Sequence, residues 1–521
     1  MTFLHRSTPG SANYGKHMTS EEVINFFAPA QSSVDAVIDW LTSSGIERQR
    51  ISQSVNKQWI QFDAAAEEAE DLLLADLYFW EDGAGSHRVI ACIRLRQKKN
   101  VLKRKLKKRE QKVSGLADGP HASNNIAYIS AADDIPFVNS TTCSSFIIAH
   151  CVRVQYGIVN GTTAAPGNEL GIFKDLNDHY STADLDQFLQ NAYPSLEIPA
   201  GTYSENRLVD GAIGSWEDLV AGVGPDFGTF LDAIDGSYCS YSAFNETGDC
   251  TDPACFDPYY PDTNYPAPIG YQGQLQCGVY KPTNVISISY GAIEDLLPNN
   301  YQYRQCNEYL KLGLQGVTVV ISSGDSGVAS RVGYIGSNEE PTVGTIFTPS
   351  LPQTCPYLLT VGDYQKDAVQ AYFDTIESSL PFKSYDQIIV NGSFDNIRNV
   401  DQVYNHGGRG YPVVAAIGEN QLIVYGGDYY TIGGTSLSAP LWASILTLIN
   451  EKRIASGKST LGFINPALYA HPEVITEGNN NGCSSPDESA LWGFPAATGW
   501  DPVTGLGSPN FTALELVLVN L

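Results

Sequence analysis

The sequence predicts an α/β fold, a mostly parallel sheet with helices on its faces, preceded by a smaller α/β domain. Three observations carry that expectation. Asn284-Val285-Ile286-Ser287-Ile288-Ser289-Tyr290-Gly291 and the stretch from Gly316 to Ser322 are short apolar runs that end at glycine-bearing turns, as fully buried strands do. Between them Tyr301 to Leu314 has the apolar spacing of an amphipathic helix, and strand, helix, strand at these lengths implies a crossover between parallel neighbours. Farther on, the strand-like runs Leu422–Tyr425 and Tyr429–Ile432 lead through Gly433-Gly434-Thr435-Ser436 into a long helical pattern from Leu437 to Ile454.

In chain order, residues 1–93 read as the small α/β domain. Helices are expected from Ser20 through Phe27 and from Ser33 to Ser43. A strand follows over Ile51–Phe62, then a third helix from Ala64 to Leu77 and strand pairing over Ser86–Leu95. Residues 94–150 read as a basic linker: Arg94 to Lys112 holds 11 of the 31 Lys and Arg against Glu110 alone, with dibasic pairs in Lys103-Arg104 and Lys107-Lys108-Arg109 suited to processing. Residues 151–521 form the large domain. It includes a strand over Glu169–Lys174, a helix over Leu185–Ala192 and a third buried strand over Tyr357–Val361.

Charge and composition exclude several classes. The 521 residues carry a formal charge of −26 even with the basic linker included, which repels nucleic acid and anionic membrane and suits acidic surroundings. No apolar run is long enough to span a bilayer. The ten cysteines lack the paired spacing of zinc sites. With five N-x-[ST] sequons, at Asn139, Asn160, Asn245, Asn391 and Asn510, they point to a secreted glycoprotein. The N-terminal residues have no apolar signal-peptide core, so the expectation is that this sequence starts late.

The octapeptide Gly433-Gly434-Thr435-Ser436-Leu437-Ser438-Ala439-Pro440 is the best candidate for chemistry. Two glycines permit a sharp turn that delivers a hydroxyl to a helix N-terminus, where orphan N–H groups favour a growing oxyanion. A plain helix cap by Thr435 or Ser436 is the competing reading. Ser323-Gly324-Asp325-Ser326-Gly327 follows the second buried strand, and ligands of parallel sheets gather beyond the carboxyl ends of strands, so both segments are expected to share one cleft. Among the eight histidines only His406-Gly407-Gly408 comes near a subtilisin-type base context, and it stands just before the serine, so a histidine-based mechanism is excluded. Near the C-terminus, Gly499-Trp500-Asp501-Pro502-Val503-Thr504-Gly505 offers one carboxylate and several carbonyls, either a turn or part of a hard-cation loop.

Together these motifs resemble the sedolisins, the serine-carboxyl peptidases, and in particular their fungal tripeptidyl-peptidase-like members. The matching segments are Gly434-Thr435-Ser436 with Pro440, Ser322 to Gly327, Lys281 to Ser287, Arg304 to Tyr309 and Gly499 to Gly505; Asn13-Tyr14-Gly15-Lys16-His17 marks a prodomain. The resemblance implies a subtilisin-like catalytic domain, a ferredoxin-like prodomain acting as intramolecular inhibitor and chaperone, one calcium ion, and a monomer that cleaves peptide or protein substrates at acidic pH. Ser436 would be the nucleophile and Asp325 the oxyanion aspartate. The calcium would be held by the carbonyls of Ile475 and Gly499 and the carboxylate of Asp501. A carboxylate base suits acid, because it stays competent where imidazole is protonated.

The chain departs from that pattern at its base. The family's Glu-x-x-x-Asp helix should follow Val209-Asp210-Gly211-Ala212, yet the chain runs through Ile213-Gly214-Ser215-Trp216-Glu217-Asp218 towards Phe227. Glu217 and Asp218 are adjacent and would point about 100° apart on a helix. The only such spacing is Glu67 to Asp71 in the first domain. Val413 stands where the family carries Asp, and Val474 before Ile475 replaces an Asp-Ile pair of the calcium site. Internal segments are missing, through a faulty gene prediction or through decay into an inactive sedolisin-like protein.

Overall fold

The computed structural model describes residues 2–54, 56–81, 87–93, 127–128, 143, 145–174, 180–192, 198–209, 227–236, 276–294, 299–329, 347, 349–357, 365–381, 383–384, 403–404, 410–471, 483–484 and 491–521. They divide into two compact units, one of residues 2–23 and those from 127 onward, the other of residues 24–93.

In the larger unit, β1 (Leu170–Phe173), β2 (Val285–Ile288) and β3 (Thr318–Ile321) form a parallel sheet in that order, with Val285 opposite Leu170 and Thr318. Successive side chains of a strand point to opposite faces, and both faces of β2 and β3 are covered, whereas Ile172 of the outer strand β1 is 67% exposed. Ile286, Ile288, Val319 and Ile321 pack with Tyr309 and Leu312 of α1 (Asn299–Leu314) and with Leu231. Val285 and Val320 pack on the other side with Trp442, Ala443, Ile445 and Leu446 of α2 (Thr435–Ala455). This is the parallel, doubly covered sheet that the continuous apolar runs imply.

The runs before α2 form an antiparallel hairpin, β4 (Gln421–Tyr425) and β5 (Asp428–Ile432), turning at Gly426-Gly427, both with positive φ. Asp184 holds the turn by accepting from both glycine N–H groups, at 2.8 and 2.9 Å.

The first 18 residues belong to the larger unit. Phe3 packs on Phe463 at 4.8 Å between ring centroids, and Tyr14 lies over the buried Arg453 guanidinium. The Met18 N–H donates to Leu314 O at 2.8 Å. His17 Nε2 pairs with Thr460 O at 2.8 Å, with its ring against Gly316 and Gly462. Burial pushes the His17 imidazole below its ordinary range, and the charges of Arg453 and Arg6 push the same way.

In the smaller unit Ile51–Gln53 and Ile60–Phe62 pair antiparallel, and so do Ala75–Glu81 and His87–Ile93. The helix expected to reach Leu77 covers only Ala66–Leu73. Leu74 closes it in the left-handed region (φ 50°), and the β-favouring run Leu77-Tyr78-Phe79-Trp80 follows as strand. Glu67 and Asp71 are exposed on this helix, as a solvated face would be. Its neighbour Glu68 accepts both prongs of the Arg50 guanidinium, at 2.9 and 2.6 Å, and the Ala65 N–H. Those bonds pull the Glu68 carboxyl down to about 2.

Cys143–Cys151 and Cys306–Cys355 are disulfides. Among the described residues no helix is long and apolar enough to cross a membrane. The basic linker from Lys98 to Lys112, His406, Glu217, Asp218, Val474, Ile475 and all but the first residue of the strand expected at Tyr357–Val361 lie outside the described residues.

Candidate active site

Ser436 is the second residue of α2 and is exposed. Its N–H is one of the orphan donors that open every helix. Four residues later Pro440 lacks the N–H that would bond the Ser436 carbonyl. That carbonyl instead accepts from Ser289 Oγ at 3.4 Å, just past the end of β2. Gly434 N–H donates to Gly418 O at 2.7 Å, Ser438 Oγ to Ala416 O at 2.9 Å and Trp442 Nε1 to Ala415 O at 2.8 Å. The extended segment 415–418 thus holds the helix start from below.

Asp325 comes from the loop after β3. Its Oδ1 accepts from the Thr435 N–H at 2.6 Å and from the Thr435 hydroxyl at 2.8 Å, while Thr435 Oγ1 accepts from Gly324 N–H at 3.1 Å. The carboxyl is therefore tied to the residue immediately before Ser436, so the two segments share one cleft. Gly434 has φ 144°, and a Cβ there would approach Asp325 Oδ2 to 2.9 Å. Both the backbone angle and the space require glycine. Below the loop, Gln353 Nε2 donates to Ser322 O at 2.8 Å and Tyr290 O at 3.3 Å, bracing the ends of β3 and β2.

The helix-cap reading is corrected here. α2 begins after Gly434 with no side-chain cap, and the Thr435 hydroxyl turns to Asp325 instead. Sequence reasoning missed this use of Thr435. A hydroxyl usually finds an acceptor, but a spacing of 110 residues hides which one Thr435 takes.

Asp501 is fully buried and far from a free ligand. Its Oδ1 accepts from the N–H groups of Val503 and Thr504, each at 2.8 Å. Its Oδ2 accepts from Ala497 N–H at 3.2 Å and the Thr504 hydroxyl at 3.0 Å. A cation would have to displace at least one of these donors. Among the described residues no group of three His, Cys, Asp or Glu could hold a metal. Of the three residues expected to hold calcium, Gly499 and Asp501 are described and Ile475 lies outside the described residues. At roughly 1 kcal/mol per hydrogen bond, Asp501→Ala should cost about 2–4 kcal/mol. Chelation of the intact protein should leave Tm within about 2 °C, which thermal melts with and without EDTA will check.

Val413, in the position where a carboxylate is expected, is buried in the core and its carbonyl accepts from Leu506 N–H at 2.7 Å.

The pro-kumamolisin activation domain matches residues 2–100, and the subtilase family matches residues 274–461. Tripeptidyl-peptidase sed1 of Aspergillus fumigatus is 40% identical over 99% of this chain and 89% of its own. The chain belongs to the sedolisin family of serine-carboxyl peptidases. Aorsin of Aspergillus oryzae, at 36% identity over 99% and 89%, and tripeptidyl-peptidase SED1 of Arthroderma otae, at 31% over 98% and 88%, are further sedolisin-type relatives. A Pseudomonas sedolisin solved with pseudo-iodotyrostatin aligns at 16% identity and a TM-score of 0.37 over 68% of this chain and 94% of that one. This sedolisin is a serine-type peptidase of subtilisin-like α/β fold with an activation domain at its N-terminal side. The alignment to sed1 runs over 601 positions, 80 more than the chain has residues, so relatives carry internal segments that this chain lacks.

Proposed function

We propose that this sedolisin hydrolyses peptide bonds at acidic pH, with Ser436 as nucleophile and Asp325 as donor to the oxyanion. The observation that carries the reading is the 2.6 Å bond from the Thr435 N–H to Asp325 Oδ1, which holds a carboxyl beside a serine at an open helix start. In the attack, Ser436 Oγ adds to the amide carbonyl carbon, the carbonyl π electrons move to oxygen, and the serine proton passes to a base. The oxyanion is met by the Ser436 N–H and by Asp325 in its protonated form.

The relatives named tripeptidyl-peptidases favour release of tripeptides from N-termini, with endopeptidase action as the alternative. The activation domain would inhibit until it is removed, and the molecule would act as a secreted, glycosylated monomer. The test uses the full chain, acid-treated and supplied with an oligopeptide, with products read by mass spectrometry. Tripeptide ladders are expected; Ser436→Ala and Asp325→Asn should each lose ~10²-fold or more. Unchanged rates in Ser436→Ala would sink the assignment.

A second reading is favoured by one observation: the Glu-x-x-x-Asp spacing is absent from residue 151 onward. On that reading the chain as printed is a poor catalyst that keeps the sedolisin fold and its peptide-binding cleft.

A further inference from the structure

We propose that Thr435 is the positioning residue for Asp325, fixing Oδ2 as the oxygen that meets the attacked carbonyl. The proposal rests on the reading of Ser436 and Asp325 given above.

The hydroxyl of Thr435 has one proton. Its oxygen accepts the Gly324 N–H at 3.1 Å, so the proton is directed to Asp325 Oδ1 at 2.8 Å. The Thr435 N–H reaches the same oxygen at 2.6 Å. Oδ1 is thereby a double acceptor. A proton placed on it would face two donors, so the proton of the neutral acid belongs on Oδ2. Oδ2 lies against Gly434, 2.9 Å from where a Cβ would stand.

The need for such a clamp is visible in the loop. Asp325 is exposed and follows Gly324, whose φ of 96° suits glycine. An exposed carboxyl on that loop would otherwise sample several rotamers, and a donor to an oxyanion is worth most when its orientation is set beforehand. The donors that set it come from the residue next to the nucleophile. Two consecutive residues therefore carry the serine and the orientation of its oxyanion partner.

The experiment compares a peptide aldehyde with the matching peptide alcohol on the full chain after acid treatment has removed the activation domain. The aldehyde reports the tetrahedral state: Ser436 Oγ bonds to its carbon, the C=O π bond breaks, and the serine proton ends on the former carbonyl oxygen. The alcohol reports ground-state binding alone. Thr435→Val should weaken the aldehyde ~10–100-fold and leave the alcohol within about twofold, and Thr435→Ser should recover the aldehyde to within about threefold. Thr435→Ala serves as the second variant if the valine protein melts early. Equal binding of the aldehyde by parent and Thr435→Val, or a parallel loss of both ligands, overturns the proposal while leaving Ser436 in place. If the parent itself shows no preference for the aldehyde that Ser436→Ala removes, the nucleophile assignment falls, and this proposal with it.

Discussion

Inserting the missing Glu-x-x-x-Asp helix between Asp210 and Trp216 is expected to raise acid peptide hydrolysis by ~10³-fold or more over the chain as printed. A serine hydroxyl is a weak nucleophile until a base takes its proton. On the proposed reading the cleft supplies the attacking group, a helix start and an oxyanion carboxyl, but no Glu-x-x-x-Asp spacing occurs from residue 151 onward. Two carboxylates four residues apart share one helix face, so one can orient the other. A factor of 10³ corresponds to about 4 kcal/mol of activation free energy, a reasonable share for the base of a cooperative unit. The measurement is kcat/KM at acidic pH for both proteins after removal of the activation domain. Equal rates would mean that the printed chain holds a competent base of another kind.

Glu308→Gln is expected to flatten the pH dependence of stability of the larger unit. Glu308 and Lys311 lie on the inner face of α1, with Lys311 Nζ 2.9 Å from Glu308 Oε2. Burial pushes the Glu308 carboxyl up to about 8, further than the Lys311 ammonium can pull it back, and the Asp235 carboxyl adds to the rise. Around it, Asp235 accepts from Gln315 Nε2 at 2.6 Å and from the Ser20 hydroxyl at 3.4 Å. A carboxyl that holds its proton more tightly when folded gives its full stabilisation below about pH 4.5 and has lost it above about pH 8. With each tenfold change in proton affinity worth about 1.4 kcal/mol, the difference across that window is on the order of a few kcal/mol. The parent Tm should fall by roughly 5–10 °C between pH 4.5 and 8, and the Glu308→Gln protein should change far less. Parallel melting curves for the two proteins would refute the assignment. Glu68 of the smaller unit has the opposite sign: its carboxyl is held down by Arg50, so its stabilisation is present above about pH 4.5 and fades in stronger acid.

Much of the fold was legible because its strands are buried on both sides. Continuous apolar runs such as Val285–Ile288 leave few alternatives, and the helix between them sets the parallel direction. That the segments of Ser436 and Asp325 meet was legible from both following strand-like runs. Three features were not. Leu74 ends a helix by adopting a left-handed backbone, which no residue type at that position announces. Thr435 chooses a partner 110 residues away over the local cap that its type suggests. Glu308 reads in sequence as one more polar position of a helix, and only tertiary packing makes it a buried acid. An Asp in a Gly-Pro loop likewise looks the same in sequence whether its oxygens serve a cation or, as the side chain of Asp501 does, four protein donors.

The most direct test of the account is where a fluorophosphonate lands on the protein at acidic pH. The phosphonyl group is expected on Ser436 alone, mapped by tandem mass spectrometry, with labelling lost on unfolding and far faster once the Asp210–Trp216 segment carries its carboxylate helix. A label on any other side chain, or none on the helix-restored protein, would contradict it.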